Sequence, residues 1–194
     1  MKQGSREWLL LRSGKLTGSC FAAALGLSPY KSRAALWRDL TGRGKPVEET
    51  PRMLRGTTLE PEARSWYECD RGILVQEVGF VPHPVHSCLG VSPDGLTLDG
   101  GAIEIKVPDS VHSEIPEHYK PQCVGVLHIC GRDYIDFISY CFTEPERTNV
   151  FRLTADETRE QWKRWEAELV AFYNDYVLAD VEPPRKRRSN GVSK

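Results

Sequence analysis

No run of apolar residues in this sequence approaches the ~18 that a membrane-spanning helix requires, which excludes a helical membrane anchor within it. Residues 1–12 lack the apolar stretch and small-residue cleavage site of a secretory leader, so a cytoplasmic location is expected. No C-x-x-C pair occurs. The cysteines at 20, 69, 88, 123, 130 and 141 are scattered, which argues against a structural zinc or a dithiol redox motif and predicts reduced, mostly buried thiols. Composition is not extreme either: 40% hydrophobic and 27% charged residues over 194 positions are the values of an ordinary globular chain. That length predicts a single domain over residues 1–182, followed by a tail at 183–194.

The net charge of −1 conceals a division along the chain. Residues 1–58 carry 11 Lys/Arg against 4 Asp/Glu, whereas residues 59–184 carry 10 against 23. A protein that meets a polyanion usually keeps a basic face for it, and the N-terminal third is the candidate, although a generally solvated surface would have the same counts. The tail, from Arg185-Lys186-Arg187-Arg188 onward, is expected to be disordered and either touches nucleic-acid phosphates or keeps the chain soluble.

The chemistry concentrates between Leu89 and Pro108. Alternation around Ile103 and Ile105 has the period of a strand, which puts Glu104 and Lys106 on one face. The turn Asp99-Gly100-Gly101 has hairpin chemistry, so the segment ending at Leu98 should fold back beside the one starting at Ala102 and bring Asp94 towards Glu104. Two converging carboxylates repel unless a cation lies between them, and hard oxygen ligands suit Mg2+, with Mn2+ as a substitute, better than zinc. The backbone carbonyl of Ile105 can add an oxygen, and Lys106 can orient an attacking water or offset charge on a phosphoryl oxygen. This equipment suits phosphodiester hydrolysis. The alternative reading of the same residues is a charged hairpin on a solvated face.

The remaining elements follow from periodicity and capping. Short helices are expected over Glu7–Leu11 and Cys20–Leu25, the latter capped by the Ser/Thr residues before it, with a helix start that favours an anion. Further helices are expected over Lys31–Leu40 and Leu54–Cys69, separated by a mobile loop at Arg43–Thr50. In the second of these, Glu60 and Arg64 are spaced for an i,i+4 ion pair. Ile73–Pro82 alternates like a strand, and His83 and His86 flank Pro84 in a turn where solvated imidazoles are expected. After a loop at Asp109–Pro116 come a helix over His118–Ile129, a strand over Asp133–Cys141 and its partner over Asn149–Leu153. Thr154 with Glu157 forms a capping box opening a long helix, whose stripe of Trp162, Trp165, Leu169, Phe172 and Tyr176 belongs to a core.

Pro93-Asp94 followed by Glu104-Ile105-Lys106 resembles the PD-(D/E)xK nuclease signature, and the accompanying motifs resemble the lambda-exonuclease or YqaJ-like viral recombinase branch. Arg12-x-Gly14-x-Leu16-Thr17-Gly18-Ser19 is similar to that family's opening stretch, Gly56-x-x-x-Glu60-x-x-Ala63 to its acid-bearing helix, and Tyr119-x-x-Gln122 to its Y-x-x-Q helix. Pro121 and the Cys123–Gly125 segment depart from the family pattern, so only Tyr119 and Gln122 transfer there.

The resemblance implies an α/β restriction-endonuclease-like core with a small mixed β-sheet flanked by helices. It implies a magnesium-dependent exonuclease that degrades the 5′-ended strand of duplex DNA to mononucleotides and leaves a 3′ single strand for an annealing protein. Asp94, Glu104, Lys106 and Gln122 would be catalytic. Two metal ions would sit among Asp94, Glu104, the Ile105 carbonyl and, through water, Glu60, while Arg12, Ser19 and Tyr119 would contact the DNA and its 5′-phosphate. A homotrimeric ring working on duplex ends in a bacterial cell is also implied. An iron–sulfur cluster, held in some nuclease relatives by C-terminal cysteines, is excluded because no cysteine follows Cys141. The competing readings are another nuclease of the same fold, endonucleolytic or 3′-directed, and a non-catalytic DNA-binding module.

Overall fold

The computed structural model of the chain describes residues 3–45, 48 and 50–184. The basic tail and part of the Arg43–Thr50 loop therefore lie outside the described residues. The N-terminal part contributes α1 (Arg6–Arg12), β1 (Leu16–Thr17), α2 (Gly18–Ala24), α3 (Arg33–Leu40) and α4 (Pro51–Arg71). Four short strands follow, β2 (Val75–Gln76), β3 (Val81–Pro82), β4 (Leu89–Val91) and β5 (Gly95–Thr97), then the central strand β6 (Gly101–Lys106). α5 (Lys120–Ile129), β7 (Tyr134–Ser139), β8 (Asn149–Thr154) and α6 (Ala155–Phe172) complete the order, and a π-helical turn at Tyr173–Leu178 extends α6.

These strands make two mixed sheets, where the sequence predicted one. The larger runs β2-β5-β6-β7-β8, with β6 and β7 parallel and the other pairs antiparallel; the smaller runs β1-β4-β3. The division explains why the strand expected over Ile73–Pro82 is two strands in different sheets. Between them Glu77 turns to the guanidinium of Arg64, and Phe80 packs against the bare backbone of Gly90, a position where any side chain would collide with its ring. The sequence marks that break only by a change of phase: Ile73 and Val75 alternate on one phase and Val78 and Phe80 on the other, with the polar pair Gln76-Glu77 between them.

Helix ends follow the local chemistry. Thr50 accepts a hydrogen bond from Met53 N (3.2 Å), and Pro51 at the first turn starts α4 earlier than its apolar period. Gly72, at φ 64°, ends it in the left-handed region that glycine adopts at low cost. Thr154 accepts from Glu157 N, one half of the capping box expected at the start of α6, while the Glu157 carboxylate accepts from the Thr154 hydroxyl (2.9 Å) rather than from its backbone N–H. The expected side-chain cap on α2 is absent: Thr17, which precedes it, belongs to β1 and spends its hydroxyl on Arg12, Ser19 and Cys20.

β6 is buried on both faces and divides the interior in two. On one face Ala102, with Ile135 and Phe137 of β7, joins a core filled by α2, α5 and α6, including Phe21, Val124, Leu127, Trp162, Leu169 and Phe172. On the other, Ile103 and Ile105 join Ile138, Tyr140, and Ala63 and Tyr67 of α4. Glu104 lies on the first face with 0% exposure, a position that burial energetics leave to an apolar residue unless a charge is needed there. The thiols are all free, but only Cys123 is fully buried and Cys69 is exposed, so cysteine burial falls short of the expectation.

Candidate active site

The hairpin joins the chemistry-bearing residues as its spacing predicts. Antiparallel pairing of Gly95 with Ile103 places Asp94 just beyond the paired region, where its Oδ2 accepts a hydrogen bond from Ile105 N at 2.6 Å. The next N–H and carbonyl along β6 serve the other neighbour: Lys106 O accepts from Tyr140 N. Since N–H and C=O of one strand residue point to the same side, the Ile105 carbonyl shares the Asp94 side. Lys106 extends along the same face as Glu104 and donates to its Oε1, and its ammonium stands 5.3 Å from the Tyr119 ring centre.

These groups line one cavity of about 570 Å³. Its walls include Glu60 of α4, Gln122 of α5 and Tyr119 just before that helix, and, from the N-terminal elements, Arg12 and Ser19. All the site residues expected from sequence are thus brought together. Glu60 lines the cavity and makes the expected i,i+4 ion pair, its Oε1 accepting from Arg64 Nη2 at 2.8 Å.

Burial and mutual repulsion disfavour ionised carboxylates in this cavity. Burial first, and then the negative field of Asp94, push the Glu104 carboxyl up to about 8, and the same two causes push Glu60 up to about 7. Burial also raises Asp94, against the opposing pull of Lys106. For Lys106 burial alone would lower the pKa, but Glu104 and Asp94 outweigh it and hold the ammonium charged. Glu104 Oε2 is a buried atom with no hydrogen-bond partner among the described residues. An acceptor left bare in a cavity lined by further carboxylates, with a backbone carbonyl alongside, fits a hard divalent cation held by oxygen ligands.

Across the cavity, Arg12 lies 3.8 Å above the Trp8 ring and reaches Ser92 Oγ and Thr17 Oγ1, both at 3.4 Å. Trp8 Nε1 donates to the same Ser92 Oγ at 3.0 Å. Two donors occupy the Ser92 lone pairs, which leaves its own proton as a donor towards the cavity. Sequence reasoning missed Ser92, although it immediately precedes Pro93-Asp94, and it missed Arg64 and Arg52. Arg64 had a signal in its i,i+4 spacing to Glu60. Arg52, on the cavity wall, had none beyond its place in the basic N-terminal third.

His83 corrects an expectation, being buried rather than solvated. With His86 and Glu166 it forms a cluster whose ligand atoms lie within 4.8 Å of one another, yet its hydrogen bonds oppose a metal there. His83 Nδ1 accepts from Val85 N (3.1 Å) and His86 N (2.9 Å), so the ring proton sits on Nε2 and is donated to Glu166 Oε1 at 3.0 Å. A metal on Nε2 would need that proton on Nδ1, facing two N–H groups. Burial lowers the His83 pKa below its ordinary value, so its contribution to stability is fully present above about 6.5 and is lost as pH falls through the folded value. Long-range 15N–1H spectra at about pH 8, above the ordinary imidazole range, should show His83 as the Nε2–H tautomer, unchanged by zinc. An Nδ1–H tautomer, or a zinc-induced shift, would reject this assignment.

Residues 7–133 match the YqaJ-like viral recombinase domain. The chain is 32% identical to the alkaline exonuclease LHK-Exo of Laribacter hongkongensis, with a TM-score of 0.75 over 92% of this chain and 95% of that one. A structure of LHK-Exo in complex with dAMP aligns over the same shares at 31% identity and a TM-score of 0.74. A phage-related exonuclease of Haemophilus somnus 129PT, 13% identical, shares the fold at a TM-score of 0.60 over 86% of this chain and 96% of that one. An uncharacterised protein of Acanthamoeba polyphaga mimivirus, R354, is 28% identical over 157 residues, 71% of this chain. That match spans only 29% of the mimivirus protein's length. With the family's domain matched from the Arg12 stretch through the acid-bearing hairpin to the Gln122 helix, the chain belongs to the YqaJ-like viral recombinase family and has its restriction-endonuclease-like fold.

Proposed function

We propose that this protein is a divalent-metal-dependent exonuclease that removes mononucleotides from the 5′-ended strand of duplex DNA. The observation that carries the reading is the placement of Asp94, Glu104, Glu60 and Lys106 in the same cavity as Arg12, Ser19 and Ser92. Magnesium bound among the acids and the Ile105 carbonyl would supply Lewis-acid stabilisation of the phosphoryl oxygens and a more acidic water. Lys106, kept charged by Glu104 and Asp94, neutralises charge that develops on the scissile phosphate. Gln122 orients a phosphate oxygen or the attacking water from the α5 side of the cavity. The Tyr119 ring faces the Lys106 ammonium, 5.3 Å from the ring centre, and helps to hold that charge in place. Incubation of end-labelled duplexes with magnesium tests activity and polarity together; label released first from 3′ ends, or cleavage of closed circles, would replace this reading by a 3′-directed exonuclease or an endonuclease.

In this proposal Arg12 reads the terminal 5′-phosphate. A terminal phosphate carries more charge than an internal diester, and a guanidinium oriented by Trp8 and Ser92 still has unused N–H groups for it. Arg12→Ala should slow digestion of 5′-phosphorylated duplex by about 10- to 150-fold, the equivalent of ~1.5–3 kcal/mol for a charged hydrogen bond, and affect 5′-hydroxyl duplex far less. Equal losses on the two substrates, in steady-state assays, would make Arg12 a general backbone contact.

The proposal extends to a homotrimeric ring around the duplex, and to a single-strand annealing protein as the recipient of the 3′ strand. A monomer seen by light scattering at micromolar concentration, with release after each cut, would remove the ring. Residues 1–182 form the catalytic domain in this account, and the tail from 183 is an accessory.

A further inference from the structure

The side chain that joins the most parts of the candidate metal site is Arg64, which has no place in the chemistry above. It is only 8% exposed and divides its guanidinium among three elements. Nε donates to the backbone carbonyl of Asp94 (3.1 Å), Nη2 to Glu60 Oε1 (2.8 Å), and Nη1 pairs with Glu77 Oε1 (2.7 Å). α4, the segment between the two sheets and the Pro93-Asp94 turn are thereby tied to one planar group. Of the three arms only the one to Glu77 ends on an exposed side chain.

We propose that Arg64 is a positioning residue, which fixes Glu60 and Asp94 so that they can hold the cation. The inference rests on the metal-site reading given above. Asp94 is secured twice: its carbonyl by Arg64 and its Oδ2 by Ile105 N, so that its other carboxylate oxygen is aimed by constraints on both sides. Glu60 is secured at Oε1, which leaves Oε2 without a hydrogen bond among the described residues and available to the cavity it lines. A lysine at this position would keep a charge but has one nitrogen, which cannot serve three acceptors lying in different directions. Partners that orient metal ligands in this way typically change metal affinity by about 10- to 100-fold when removed.

The test is direct Mn2+ binding to metal-free protein in the absence of DNA, followed by electron paramagnetic resonance, for wild type, Arg64→Gln, Arg64→Lys and Glu77→Gln. Arg64→Gln should weaken Mn2+ binding about tenfold or more, and Arg64→Lys should recover only part of the loss. Glu77→Gln, which takes only the charge from the exposed arm, should bind Mn2+ as wild type does. Duplex binding without metal should be unchanged in all three variants, because the guanidinium is buried beneath the acids. Arg64→Gln that is folded by circular dichroism and binds Mn2+ with wild-type affinity overturns the proposal and leaves Arg64 a purely structural tie. Should Arg64→Gln fail to fold, Arg64→Lys decides: wild-type affinity there overturns the proposal as well. Wild-type protein that binds no Mn2+ overturns the metal-site reading and this inference together, an outcome distinct from a failure of Arg64 alone.

Discussion

Glu104→Gln is expected to reduce magnesium-dependent digestion of duplex DNA by roughly three orders of magnitude, with duplex binding in calcium retained. The substitution preserves shape and an oxygen acceptor for Lys106 but removes the negative charge at the buried oxygen that has no hydrogen-bond partner among the described residues. Charge stabilisation in a water-poor site acts mainly on the transition state, so several kcal/mol should be lost from the barrier and little from ground-state binding. Asp94→Asn should behave in the same way, because the Ile105 N–H that Asp94 accepts can be met by an amide oxygen while the ionic ligand is lost. Lys106→Ala should cost at least about a hundredfold through loss of the fixed positive charge. Single-turnover rates with saturating enzyme separate chemistry from binding. A Glu104→Gln protein that digests DNA at the wild-type rate would sink the assignment of the cavity as a hydrolytic centre.

The parts of this site that were legible in the sequence are those set by short-range geometry. Alternation along Gly101–Lys106 fixes Glu104 and Lys106 on one face, and the Asp99-Gly100-Gly101 turn sets how far along the hairpin Asp94 stands from Ile105. Helical spacing does the same for Glu60 and Arg64. What the sequence conceals is how distant segments choose their partners. The three bonds of Arg64 depend on where Glu77 and Asp94 pass α4, and the chain between Val75 and Val81 changes sheets at a bend marked in the sequence only by the phase shift at Gln76-Glu77. His83 shows the same gap at one residue. A histidine beside Pro84 reads as part of a polar turn, but its burial is set by Glu166 of α6, more than eighty positions away, and by two local N–H groups that need its Nδ1 as an acceptor. Ser92 was hidden for a different reason: a serine before a proline has many local uses, and only the convergence of Trp8 and Arg12 upon it marks this one.

Arg152→Ala is expected to destabilise the fold by about 3–5 kcal/mol, far more than a half-exposed arginine usually contributes, because of the group it leaves behind. Asp136 sits on β7 at 1% exposure, on the sheet face that packs against α4 and away from Glu104. Its carboxylate accepts two bonds from Arg152 Nε and Nη2, both at 2.8 Å, and a third from the hydroxyl of Tyr67 at 2.7 Å. The Arg152 guanidinium in turn lies 3.6 Å over the Tyr134 ring, which helps to hold its fork in the bidentate position. Truncation of Arg152 strands a buried carboxylate with a single neutral donor, whereas Asp136→Ala strands only the Tyr67 hydroxyl and lets Arg152 turn to solvent, so the aspartate variant should lose less, ~1–3 kcal/mol. Once Asp136 is alanine, removing Arg152 should cost little more, which makes the double variant markedly more stable than additivity allows. Denaturant midpoints for the two single variants and the double measure that coupling. Activity per folded molecule should be unchanged throughout, since the network faces α4 and not the cavity. Strictly additive losses, or an Arg152→Ala variant within about 0.5 kcal/mol of wild type, would mean that Asp136 is adequately solvated without its arginine.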